Sequence, residues 1–170
     1  EGSRSAAGAV ATYMTSSCIG FDEQGYGQII LRTIKTCHLL KERLTNSGLP
    51  VLIIENEMTN ILCFAIGQRG QNLSEVNKQT KELIKKFQDK ILAGDKDVFY
   101  LSKTLISESH EGVLDHFNKS FNIYVDQNEL TLIRLTTMNP FLNSVNTKVN
   151  FVDEFIKQIS LLLKKENMPF

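Results

Sequence analysis

The amino-acid sequence predicts an α+β domain: a small antiparallel sheet covered by helices on one face. Three observations lead there. Long stretches carry apolar residues at helical spacing. Two short β-rich runs, Val51-Leu52-Ile53-Ile54 and Ile61-Leu62-Cys63-Phe64-Ala65-Ile66, are separated by a loop of hairpin length. A further strand pattern, Leu130 to Thr137, stops at Met138-Asn139-Pro140 just ahead of a last apolar helix, because proline cannot donate to a ladder. With 170 residues, 42% of them hydrophobic, and no low-complexity tract, the chain reads as one domain spanning residues 1–170.

The first helix is expected over about residues 5–17, where Ala6, Ala7, Gly8, Ala9 and Ala11 leave a smooth face that another backbone can approach closely. A second, from about Asp22 to Asn46, places Tyr26, Ile29, Ile30, Ile34, Cys37, Leu40 and Leu44 on one side and ends at Ser47-Gly48. Residues 1–47 thus form a helical segment suited to an interface. The hairpin follows, with its turn at 56–60. After a polar loop, Leu73, Val76, Leu83, Ile84, Phe87 and Ile91 mark a third helix that closes near Ala93-Gly94.

Val98-Phe99-Tyr100-Leu101 reads as a strand. From Ser107 to Asn128 the pattern is weak, with Val113, Leu114 and Phe117 facing inward from a short helix. The last helix is expected over residues 148–165, with Val149, Val152, Phe155, Ile156, Ile159, Leu162 and Leu163 on its buried side.

Composition narrows the function classes. Lys plus Arg and Asp plus Glu both total 19, so a net charge of zero argues against nucleic acid or an anionic membrane as partner. No apolar run approaches the roughly 20 residues of a membrane span. Cys18, Cys37 and Cys63 lie in apolar contexts without Cys-x-x-Cys spacing, which fits buried thiols in a reducing cytoplasm. His38, His110 and His116 show no metal-ligand spacing, so no metal is expected. No Gly-x-Ser-x-Gly elbow and no phosphate-binding loop occurs; Gly67-Gln68-Arg69-Gly70 reads as a chain reversal.

Two features bear on binding. Glu1-Gly2-Ser3-Arg4-Ser5 enters the first helix without an initiator Met, and the sequence reads as the continuation of a longer polypeptide. Ser3 can cap that helix, its backbone N–H groups can hold an anion such as a phosphate, and Arg4 adds charge; from these residues alone an ordinary capped helix is the simpler reading. Arg134 sits mid-strand among apolar residues, sharing a face with Leu132 and Thr136. It is either a rim residue that snorkels or pairs with a carboxylate, or a planar fork for a substrate carboxylate or phosphate.

Together, Gly2-Ser3-Arg4-Ser5 before the Ala-rich helix, Gly25-Tyr26 opening the second helix, and Leu132-Ile133-Arg134-Leu135 with Asn139-Pro140 resemble the C-terminal small domain of the pyridoxal-phosphate-dependent amino-acid decarboxylases of fold type I, the aromatic, tyrosine and glutamate group. The resemblance covers nearly the whole chain. It implies a cytoplasmic homodimer formed through the large domain and the first helix. It places Gly2, Ser3 and Arg4 near the phosphate of pyridoxal phosphate, and Arg134 at the carboxylate of a small amino-acid substrate. The Schiff-base lysine belongs to the large domain, which this chain lacks, and no His-Lys pair occurs here. The chain alone is therefore expected to be inactive.

Ala6 stands after Ser5 where many members have glycine, and Tyr13 lies near the place of a tryptophan of the first helix. A sphingosine-phosphate-lyase-like aldehyde lyase shares the Gly-Ser-Arg and Gly-Tyr segments, and a non-catalytic interaction module is the alternative from a different class.

Overall fold

A computed structural model describes residues 6–55, 59–96, 98–145 and 147–164. Their elements run α1 (Ala7–Ile19), α2 (Tyr26–Asn46), β1 (Val51–Ile54), β2 (Ile61–Ile66), α3 (Leu73–Leu92), β3 (Ser102–Ser107), a short 3-10 turn (Glu108–His110), α4 (Glu111–Phe121), β4 (Glu129–Thr136) and α5 (Phe151–Lys164). The four strands form one antiparallel sheet in the order β1-β2-β4-β3. The protein is an α+β fold with a small antiparallel sheet.

Leu40 and Leu44 of α2, Leu83 and Phe87 of α3, and Phe155 and Ile159 of α5 pack with Phe64, Ile66 and Ile133 over one face. The opposite face is not bare. Leu114 and Phe117 of α4, with Leu73 and Val76 of α3, cover Leu52, Ala65, Leu130 and Leu132. Burial on both faces explains why β1 and β2 read as nearly unbroken apolar runs rather than as alternating patterns.

The strand expected at 98–101 lies instead at Ser102–Ser107, where Ser102 pairs Arg134 and Ser107 pairs Glu129. Val98, Phe99 and Leu101 serve the core without joining the ladder; the Phe99 ring meets Phe155 edge-on at 5.0 Å. The mixed Ser-Lys-Thr-Leu-Ile-Ser run is tolerated because β3 is an edge strand, where charge also discourages further pairing.

Other differences are local. Asp22 Oδ1 accepts the N–H groups of Gln24 and Gly25, holding 22–25 as a turn, so α2 begins at Tyr26. Tyr26 and Ile30, expected inward, are exposed, and Thr33 and Thr36 are buried in the same helix. α4 is longer than expected and Val113 points outward; left-handed Asn122 ends it, with Ile123 N–H donating to the Asn118 carbonyl. Asn150 Oδ1 accepts from Val152 and Asp153 N–H, which starts α5 at Phe151 and leaves Val149 exposed. Residues 56–58 of the expected turn and Lys165 of the expected last helix lie outside the described residues.

Candidate functional site

Arg134 lies near the end of β4, paired with Cys63 on one side and Ser102 on the other. Residues directly opposite in an antiparallel ladder share a face, so these three side chains stand together on the α4 side, beyond Leu132. Ser102 Oγ donates to the Arg134 carbonyl at 2.8 Å, fixing the backbone that carries the guanidinium. The side chain is exposed and makes no ion pair among the described residues. Burial pushes the Cys63 thiol up, and the Arg134 charge beside it acts in the opposite direction.

Beside this strand end is a cavity of about 410 Å³. Leu40, Phe99, Leu135, Leu142 and Phe155 give it apolar walls on the α2 and α5 side of the sheet, and Arg134 borders it from β4 although its side chain leaves the strand on the opposite face. Apolar walls with a few polar groups are the usual makeup of a small-ligand site. The polar contributions come from Ser102, Thr136, Thr137 and Asn139.

Hydrogen bonds hold this corner. Thr137 Oγ1 donates to the Thr33 carbonyl of α2 at 2.8 Å, and Thr36 Oγ1 lies 3.2 Å from Asn143 Oδ1. Sequence patterning missed Thr33 and Thr36 of α2, since a hydroxyl inside a helix leaves no periodic signal.

Gly25 is the second informative position. A Cβ there would lie 2.0 Å from the Ile19 carbonyl oxygen and 2.5 Å from that of Gly20, so the α1–α2 corner admits only glycine as it stands. Tyr26 N–H donates to the Gly20 carbonyl at 3.0 Å across the same crossing. The corner presents an apolar surface: none of α1 is buried, Tyr13 is 71% exposed, and Val10, Met14, Phe21 and Ile30 are also exposed.

Gly2, Ser3 and Arg4 lie outside the described residues. The helix they precede starts at Ala7; among the described residues no side chain caps it, and its first turn holds no acidic residue.

A larger groove, about 690 Å³, runs between β1 and α4, but its polar groups serve one another. Arg69 donates to the Ser120 carbonyl at 2.9 Å and lies 5.4 Å over the Phe121 ring. The His110 ring lies 3.1 Å from the hydroxyl of its neighbour Ser109 in an exposed turn. Among the described residues, no group of three or more His, Cys, Asp or Glu is placed to hold a metal ion, and no helix is long and apolar enough to cross a membrane.

The sequence matches no protein-family model and no curated protein.

Proposed function

We propose that this chain is the C-terminal small domain of a pyridoxal-phosphate-dependent amino-acid decarboxylase, inactive alone and completed by a large domain and a second copy. The observation that carries the reading is where the resembling segments fall. Gly25-Tyr26 occupies a crossing that only glycine fits, and Arg134 stands exposed near a strand end with no ion pair among the described residues. Steric room fixes the residue type at Gly25, and Arg134 keeps an exposed charge inside an otherwise apolar strand.

Each part of the chain has a task in this reading. Arg134 offers a planar fork to the substrate carboxylate at the end of β4. The acid-free first turn of α1 suits Gly2, Ser3 and Arg4 as contacts for a phosphate. The exposed apolar face of α1 and the first turns of α2 suits burial against a second copy in a cytoplasmic homodimer. Pyridoxal phosphate, when bound, supplies the electron sink for the bond broken at the α-carbon.

The test is product analysis of the parent polypeptide that carries this chain, incubated with pyridoxal phosphate and a panel of amino acids plus a phosphorylated sphingoid base. Amine and carbon dioxide from one amino acid support the proposal and identify the substrate. Aldehyde from the sphingoid base would transfer the domain to the lyase class. No turnover together with no bound cofactor would overturn the enzyme reading in favour of an interaction module. The 170-residue chain alone is expected to show no turnover.

A further inference from the structure

We infer that Thr137 is a positioning residue for the site at the end of β4: its buried hydroxyl sets where the strand stops, and so places Arg134 and the cavity wall that follows. The inference rests on the reading of Arg134 as a carboxylate-holding group.

The cavity is walled by six consecutive residues, Arg134 to Asn139. The ladder between β2 and β4 ends at the pair Ile61 and Thr136, so the wall runs from inside the sheet to outside it. A chain leaving a sheet has no ladder to hold it. Thr137, 3% exposed, replaces the ladder with side-chain bonds in two directions. Its hydroxyl lies 2.8 Å from the Thr33 carbonyl and 3.1 Å from the Asn60 carbonyl, so one proton is shared between helix α2 and the residue before β2. Its N–H donates to the same Asn60 carbonyl at 2.9 Å, and the Asn60 amide donates to the Thr137 carbonyl at 3.4 Å.

The chain then turns sharply. Met138 N–H donates to the Thr136 carbonyl at 3.0 Å, and Phe141 N–H to Asn139 Oδ1 at 2.9 Å. Without the hydroxyl of Thr137, this turn is joined to the sheet by the Asn60 contacts and has lost its bond to α2. The Asn60 carbonyl keeps the Thr137 N–H and the Thr33 carbonyl lies inside a helix, so the one group left without the hydroxyl among the described residues is the buried Cys37 thiol, a weak hydrogen-bonding partner. Removing the hydroxyl therefore loosens the strand end rather than unfolding the domain.

The experiment titrates the isotope-labelled 170-residue chain with sodium phenylacetate, a carboxylate with an apolar ring, and follows the amide signals of residues 134–139. Thr137→Val is expected to weaken binding about 10-fold, the equivalent of one lost hydrogen bond, whereas Thr137→Ser stays within about 2-fold of the unsubstituted chain. Thr80→Val is the stability control, because the Thr80 hydroxyl is also buried and accepts the Ile66 N–H at 2.9 Å far from the cavity. It is expected to lower the melting temperature without weakening the probe.

Unchanged affinity in Thr137→Val, failure of Thr137→Ser to restore it, or equal weakening by Thr80→Val would each overturn the inference. If the unsubstituted chain takes up no phenylacetate, as a site completed by a large domain and a second copy allows, amide exchange decides the positioning role by itself. Thr137→Val must then speed exchange at Arg134 to Met138 about 10-fold beyond the effect of Thr80→Val. Uniform acceleration across the sheet would overturn it.

Discussion

Replacing Gly25 with alanine should detach α1 while leaving the core almost untouched. The added methyl would sit 2.0 Å from the Ile19 carbonyl oxygen, 2.5 Å from the Gly20 oxygen and 2.8 Å from the Ile19 carbonyl carbon, all backbone atoms that no rotamer change can move. Forcing a group into such a space costs about 1–3 kcal/mol when the surroundings cannot yield. Here they can yield. α1 buries none of its 13 residues, so the crossing is opposed chiefly by corner bonds such as Tyr26 N–H to the Gly20 carbonyl and Gly25 N–H to Asp22 Oδ1. Each is worth about 1 kcal/mol net, and less where water can replace it.

Opening the corner is therefore the cheaper relief, and a freed helix shorter than about 12–15 residues is marginal in water. Gly25→Ala should lose α1 helicity, with fast amide exchange from Val10 through Tyr26, while the urea unfolding free energy changes by less than about 0.5 kcal/mol. A loss of about 2 kcal/mol or more, with α1 exchange unchanged, would refute the claim that α1 is held only by its corner.

Three further outcomes follow from the same geometry. Asn77, 3% exposed, accepts the Thr131 N–H at 2.7 Å and donates to the Glu129 carbonyl at 2.7 Å. Asn77→Ala strands a strand N–H in the core and should cost about 1–3 kcal/mol in urea unfolding. The Ser74 hydroxyl and then the Ser74 N–H hold the Asp126 carboxyl below its ordinary 3.8. A depressed folded value contributes stability above that ordinary value and loses it as pH falls through the lower one. Ser74→Ala should shift the Asp126 NMR titration back toward 3.8 and reduce the acid-side slope of stability. At pH 8, a thiol reagent should label exposed Cys18 first, since burial pushes Cys37 and Cys63 up; Arg134→Gln should slow Cys63 further by removing the neighbouring positive charge.

The legible parts of this protein were those whose pattern repeats along the chain. α2, α3 and α5 are long enough for a 3.6-residue period to show, as Leu40 and Leu44, or Leu83, Ile84 and Phe87, demonstrate. β1, β2 and β4 carried enough β-branched residues to be placed within a residue or two. Arg134 stood out because a charge inside such a run needs a reason.

What only the tertiary structure decided depends on contacts between residues far apart. Nothing local distinguishes Val98-Phe99-Tyr100-Leu101 from a strand; β4 takes its edge partner from Ser102–Ser107, and the apolar run is left to fill the core. α4 acquires its length from the second sheet face it covers. Tyr26 and Ile30 share the helical pattern of buried residues, yet both are exposed among the described residues, and periodicity records which face is apolar without recording what will cover it. The ties from Thr137 to Thr33 and from Thr36 to Asn143 span more than a hundred residues, and a hydroxyl gains its importance only when folding brings its acceptor within reach.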